Sequence, residues 1–210
     1  MLLALGHAFT HHVFTIVATA CLSNSLFVAR NFIRIMDVLV VGGTGTIGRA
    51  VVENLEPDHE VIIAGHSSGK VQVDLADPSS IDRLYQSVGA VDAVASCAGE
   101  AAFGGLEELT DEDFDLSLTN KLMGQVNLVR HGIDAVNDGG VFTLTSGVLS
   151  QEPVQGSSAI SLVNAGLEGF VRAAAIELPR DIRVNVVSPP WVDETLDEMG
   201  ADFSPSLPAA

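Results

Sequence analysis

The chain's 210 residues carry 27 acidic side chains against 10 basic ones, a net charge of −17. That length accommodates one α/β domain with a full core, while the charge argues against nucleic acid or an anionic membrane as partner, because phosphates would be repelled. Two cysteines, Cys21 and Cys97, make no disulfide framework and suit a reducing, cytoplasmic compartment, and a surface rich in acids with only two lysines, Lys70 and Lys121, resembles that of salt-adapted proteins.

Residues 1–35 differ from the rest. All the acids lie beyond Met36, whereas this stretch holds three of the six histidines and four of the nine phenylalanines. The apolar run Val13 to Leu22 is too short to span a bilayer, and no Lys or Arg precedes it as a signal peptide requires. His7 and His11 are spaced as metal ligands on a helix would be, but no acid stands near them, so no metal is expected. The expectation is an extension outside the fold, with Met36 as the true start and residues 36–210 as one nucleotide-binding domain.

Asp37 to Val41 is a short apolar, β-branched run, the pattern of a strand buried on both faces of a parallel sheet. Gly42-Gly43-Thr44-Gly45-Thr46-Ile47-Gly48 follows, and Arg49 to Leu55 has helical apolar spacing. Strand, glycine-rich turn and helix together make a phosphate cradle: the glycines let the backbone approach a pyrophosphate, whose charge meets unpaired N–H groups at the positive helix end.

Glu60 to Ala64 reads as a second strand and Val71 to Val73 as a third. Asp77-Pro78 caps a helix running to about Val88, and Val91 to Ser96 is a fourth strand. Thr110-Asp111-Glu112-Asp113 starts a long helix expected to reach about Val136; Asp111, Asp113 and Asp115 are read as helix-start charge rather than a cation site. Asp138-Gly139-Gly140 is expected to turn into a fifth strand, Val141 to Thr145. A helix from about Ser158 to Leu178 and a sixth strand, Ile182 to Val187, complete the alternation. This order predicts an α/β fold, a doubly wound parallel sheet with helices on both faces.

Several of these segments together resemble the short-chain dehydrogenase/reductase family. The glycine loop, Asp74-Leu75, Cys97-Ala98-Gly99, Thr143 to Ser146, Leu167 to Phe170 and Ile182 to Pro189 carry the resemblance. It implies NAD(P)-dependent hydride transfer to a small, unidentified substrate and a homodimer or homotetramer. Implied cofactor contacts are Gly42, Thr44, Gly45, Thr46, Ile47, Gly48, Asp74, Leu75, Ala98, Gly99, Asn164, Pro189 and Thr195. The second strand ends in Ala64-Gly65-His66-Ser67-Ser68, with no carboxylate to hold ribose hydroxyls or repel a 2′-phosphate, so NADP is preferred and NAD possible. The dimer is expected through Leu122, Val126, Val129, Leu167, Phe170 and Val171.

The departures fall on the chemistry. The family's tyrosine and lysine positions are Ile160 and Asn164, and the only tyrosine, Tyr85, lies far upstream. Lys121 stands where the family has an additional asparagine, with Asn120 one residue before. Ser146 keeps the place of the catalytic serine, leaving Ser146 and Lys121 as candidate catalytic residues, with Ser157, Ser158 or Ser161 as further hydroxyls. No apolar run for a seventh strand follows Pro189-Pro190, and the chain resembles a family member shortened at its C-terminus. Two readings stand: an oxidoreductase with an atypical or vacant acid/base site, and a non-catalytic nicotinamide-nucleotide-binding or redox-sensing protein.

Overall fold

In the computed structural model, residues 34–190 are described. Six parallel strands form one sheet in the order β3-β2-β1-β4-β5-β6. They are β1 (Asp37–Val41), β2 (Glu60–Gly65), β3 (Val71–Gln72), β4 (Val91–Ser96), β5 (Val136–Thr145) and β6 (Arg183–Val187). The helices between them are α1 (Thr46–Leu55), α2 (Pro78–Val88), α3 (Asp111–Leu116), α4 (Gly124–Gly132) and α5 (Ser158–Glu177). The chain is thus the doubly wound α/β fold that its alternating pattern predicts.

Two apolar cores flank the sheet. On one face Val38, Val40, Ala93 and Ala95 meet Val51, Val52 and Leu55 of α1. On the other, Leu39, Val94, Phe142 and Leu144 meet α2, α4 and α5 through Ile81, Leu84, Leu128 and Leu167. Central strands buried on both faces explain their unbroken apolar runs. Tyr85 is part of this core; its hydroxyl donates to the Leu128 carbonyl at 2.7 Å, and burial pushes its pKa up. By length and composition α5 could cross a membrane, but Val163, Leu167 and Val171 are buried within this fold.

The long helix differs from expectation in two ways. It ends at Gly132, not Val136, where a Cβ would press on the Tyr85 ring, and β5 begins at Val136. The expected turn at Asp138-Gly139-Gly140 is instead part of β5, accommodated by a register shift between Val91 and Ala93 of β4. Between α3 and α4, residues Ser117–Met123 are π-helical. Ser117 and Thr119 donate to the carbonyls of Asp113 and Asp115 at 2.7 and 2.6 Å, side-chain bonds that loosen a helical ladder. Asp113 completes a capping box with Thr110, so the acids here serve the helix start.

Of the residues expected at a partner, Val126, Val129, Leu167 and Val171 are buried in the chain's own core, and Leu122 and Phe170 are partly buried against it. Before Met36, the exposed Arg34 bonds the buried Asp92 at 2.9 Å.

Candidate functional site

Parallel pairing aligns the strand ends. Val41 registers with Ala64 and Ser96, and Thr145 with Val187. The segments leaving those ends therefore meet along one edge, where β1 and β4 part in opposite winding directions; ligands of doubly wound sheets occupy this crevice.

A cleft of about 760 Å³ opens there. Gly42, Thr44 and Gly45 line it beside His66, Ser67 and Ser68, with Asp74 and Leu75 after β3 and Ala98 and Gly99 after β4. Gly42 has φ +81°, and a Cβ there would lie 2.7 Å from that of Ala98. A Cβ on Gly48 would collide with the Gly42 carbonyl. Thr46 opens α1, three residues earlier than expected, so Ile47 and Gly48 are already helical. The first turn of α1 holds no acidic residue, and Gly45 supplies no capping side chain, leaving those N–H groups to a phosphate. Ser68 donates to Thr44 Oγ1 at 3.0 Å, holding the end of β2 against the glycine loop. The cleft's acids are Asp74, whose Oδ1 accepts from Ala76 N–H, and Glu100. The closely spaced backbone, open helix end and absence of a carboxylate on the His66–Ser68 turn fit a dinucleotide with a 2′-phosphate.

A second cavity of about 160 Å³ adjoins it. Ser146, Lys121, Ile160, Asn164, Ile47 and Pro189 are among its lining residues. The two spaces meet where Gly99, lining the cleft, approaches Lys121: a Cβ on Gly99 would lie 3.0 Å from Lys121 Cγ. Asn120 lines the large cleft and Lys121 the small cavity, so successive residues of the π-helical segment serve both. Burial pushes the Lys121 pKa down to about 8, and it has no ion-pair partner among the described residues.

Ser146 is set by buried contacts. Its N–H donates to Val187 O at 2.8 Å, and its hydroxyl donates to Asn164 O at 3.1 Å and to Glu168 Oε1 at 3.3 Å. The same oxygen accepts from Ser150 at 2.5 Å and Ser188 at 2.9 Å. Desolvation acts to raise the Glu168 pKa, but hydrogen bonds from Ser150, Ser188, Ser146 and Gln151 outweigh it and hold the carboxyl below its ordinary value. One carboxylate thus ties together the segments after β5 and β6. Glu168 was missed in the sequence, although Ile160, Asn164 and Glu168 share one helix face at four-residue spacing.

The other candidates fall elsewhere. Ser157 donates to Val154 O and Ser161 donates to Ser157, both binding the start of α5. The Ser158 hydroxyl is buried without a partner among the described residues and does not line the cavity. Thr195 lies outside the described residues.

The family described as Enoyl-(Acyl carrier protein) reductase matches residues 47–209. The chain belongs to the short-chain dehydrogenase/reductase family. Among curated relatives, the 3-oxoacyl-[acyl-carrier-protein] reductase MabA of Mycobacterium tuberculosis is 28% identical over 171 residues, covering 75% of this chain and 69% of that protein. Among solved structures, the protein lin1944 from Listeria innocua is 43% identical, with a TM-score of 0.77, covering 81% of this chain and 86% of that one. A small-chain dehydrogenase in complex with NADPH is 30% identical, with a TM-score of 0.68, covering 74% of this chain and 70% of that one.

Proposed function

We propose that the protein is an NADP(H)-dependent oxidoreductase acting on a small carbonyl or alcohol, with Lys121 as proton donor in place of the family's tyrosine. The observation carrying this reading is that Lys121 shares a cavity with Ser146 beside the dinucleotide cleft, its pKa held near 8. An acid is most effective with a pKa near the working pH, and one so placed typically contributes about 10²–10⁴-fold.

Gly42, Gly45 and the first turn of α1 would hold the pyrophosphate, and His66, Ser67 and Ser68 the 2′-phosphate. NADPH in this cleft would supply the hydride. Lys121, as the ammonium, gives its proton to the alkoxide oxygen as the carbonyl is reduced. Ile160, Val148 and Leu149 keep water from the reacting carbon. Glu168 stays ionised and holds the Ser146 hydroxyl, so the two titratable groups are driven apart into separate tasks. Lack of a cysteine framework supports a cytoplasmic location. Leu162 and Ile176 on α5, with Met123, are among the exposed apolar residues a dimer would use.

A second reading, a non-catalytic nicotinamide-nucleotide-binding or redox-sensing protein, draws support from Ile160, which offers the cavity an alkyl group and no proton. Fluorescence titration with NADPH and NADH comes first. Tighter binding of NADPH is expected, and no binding of either cofactor would end both readings. Turnover of a panel of aldehydes and ketones then separates them: binding with no turnover leaves the second.

A further inference from the structure

Lys121 is an amine without an ion-pair partner among the described residues, in a cavity of about 160 Å³. Since a liquid water occupies roughly 30 Å³, that space accepts a molecule of only a few heavy atoms. Lining the same cavity is an acceptor that no donor reaches among the described residues. Asn164 is 1% exposed; its Nδ2 donates to Gly147 O at 3.4 Å, while its buried Oδ1 has no donor among the described residues. A buried amide oxygen left unsatisfied costs about 1–3 kcal/mol, so a ligand hydroxyl is favoured there. Ser146 does not fill that need, because its proton is directed to Asn164 O and Glu168.

We infer that Lys121 condenses with small aldehydes entering this cavity, forming an imine on its side-chain nitrogen. This reactivity goes beyond hydride transfer and requires no cofactor. In the first step the nitrogen lone pair adds to the carbonyl carbon. The C–N bond forms, the carbonyl π electrons move to oxygen, and the proton lost from nitrogen ends there as a hydroxyl. That carbinolamine hydroxyl donates to Asn164 Oδ1. In the second step the nitrogen lone pair forms the C=N bond as the C–O bond breaks, and the departing oxygen takes a proton from solvent and leaves as water. Nothing is oxidised or reduced. Lys121 is suited to this because burial leaves a substantial neutral fraction near pH 8, and the neutral amine is the nucleophile.

The chain contains one other lysine, Lys70, which is exposed and serves as an internal reference. The full-length protein would be treated at pH 7.5 with propanal and cyanoborohydride, which reduces an imine to a stable secondary amine, and then digested for peptide mapping. Lys121 should be propylated at least tenfold faster than Lys70, and Asn164→Leu should slow Lys121 several-fold while leaving Lys70 unchanged. Modification of Lys70 as fast as Lys121 in the wild-type protein would overturn the inference. NADPH titration of the same preparation keeps the two proposals separate: absent binding counts against hydride transfer alone, and absent selective labelling against the imine alone.

Discussion

The Gln125 side chain and the Thr145 peptide group exchange two hydrogen bonds across the buried junction of α4 and β5. Gln125 Nε2 donates to Thr145 O, and Thr145 N–H donates to Gln125 Oε1, both at 3.0 Å. Thr145 Oγ1 in turn donates to Ser96 O at 2.7 Å, so the strand end preceding Ser146 is fastened on two sides. Replacing Gln125 by leucine leaves a buried N–H and a buried carbonyl of Thr145 without partners. A loss of about 2–4 kcal/mol in urea unfolding is expected. A loss below about 0.5 kcal/mol would show that water replaces the amide.

The pH dependence of reduction should follow Lys121. The ammonium is the proton donor, so the rate is full below about pH 8 and falls as pH rises through that value. Stability has the opposite slope. Between about 8 and the ordinary 10.5 the unfolded chain binds more protons at this lysine than the folded one, so stability rises with pH there. Lys121→Met should abolish turnover, remove that rise and stabilise the fold near neutrality by about 1–3 kcal/mol, since a desolvated charge is gone. Full activity retained in this variant would refute Lys121 as donor.

Ile160→Tyr alone should raise carbonyl reduction by less than about tenfold, because Lys121 already supplies most of the roughly 10²–10⁴-fold that a positioned acid typically contributes. Ile160 and Lys121 line one cavity, so a phenol placed there gains a neighbouring cation without a second substitution at Asn164. Steady-state kcat on the aldehyde panel decides this. If only the double variant Ile160→Tyr with Asn164→Lys gains activity, Lys121 is too remote to serve the phenol.

Glu168 should set the acid limit of the site. Its folded pKa lies below the ordinary 4.5, so its contribution is complete above 4.5 and is lost as pH falls beneath it. Acid unfolding of Glu168→Gln, followed by circular dichroism, should be shallower in that range than the wild type's. An unchanged acid limb would mean that the three serines settle on other acceptors.

Molar potassium chloride should raise the melting temperature, because 27 acidic groups against 10 basic ones repel until screened. A flat or falling melting temperature would refute salt adaptation.

The frame was legible because its signals are local. Apolar runs of five or six residues mark central strands, and glycines between a strand and a helix mark the cradle. Ser146, Lys121, Ile160 and Asn164 could be picked out singly, and the fold brings all four to one cavity. What remained hidden depends on tertiary contact. The π-helical turn accompanies backward bonds from Ser117 and Thr119, which the sequence pattern did not announce. Glu168 reads as a polar helix residue until three serines from two segments converge on it. The apolar stripe on α4 and α5 gave no means of distinguishing sheet from partner; four of its residues are buried in the core, and Phe170 only partly.

The cradle also has a place in the order of folding. Gly42 is pressed against Ala98, and Val41 O accepts from Cys97 N–H at 2.8 Å, a contact between strands far apart in the chain. Closing so long a loop comes late, since its entropy must be met before the contact forms. The phosphate site therefore does not exist until β4 has docked beside β1. A bound nucleotide would then leave the folding rate nearly unchanged and act on the reverse step, slowing unfolding and lengthening the lifetime of the native chain.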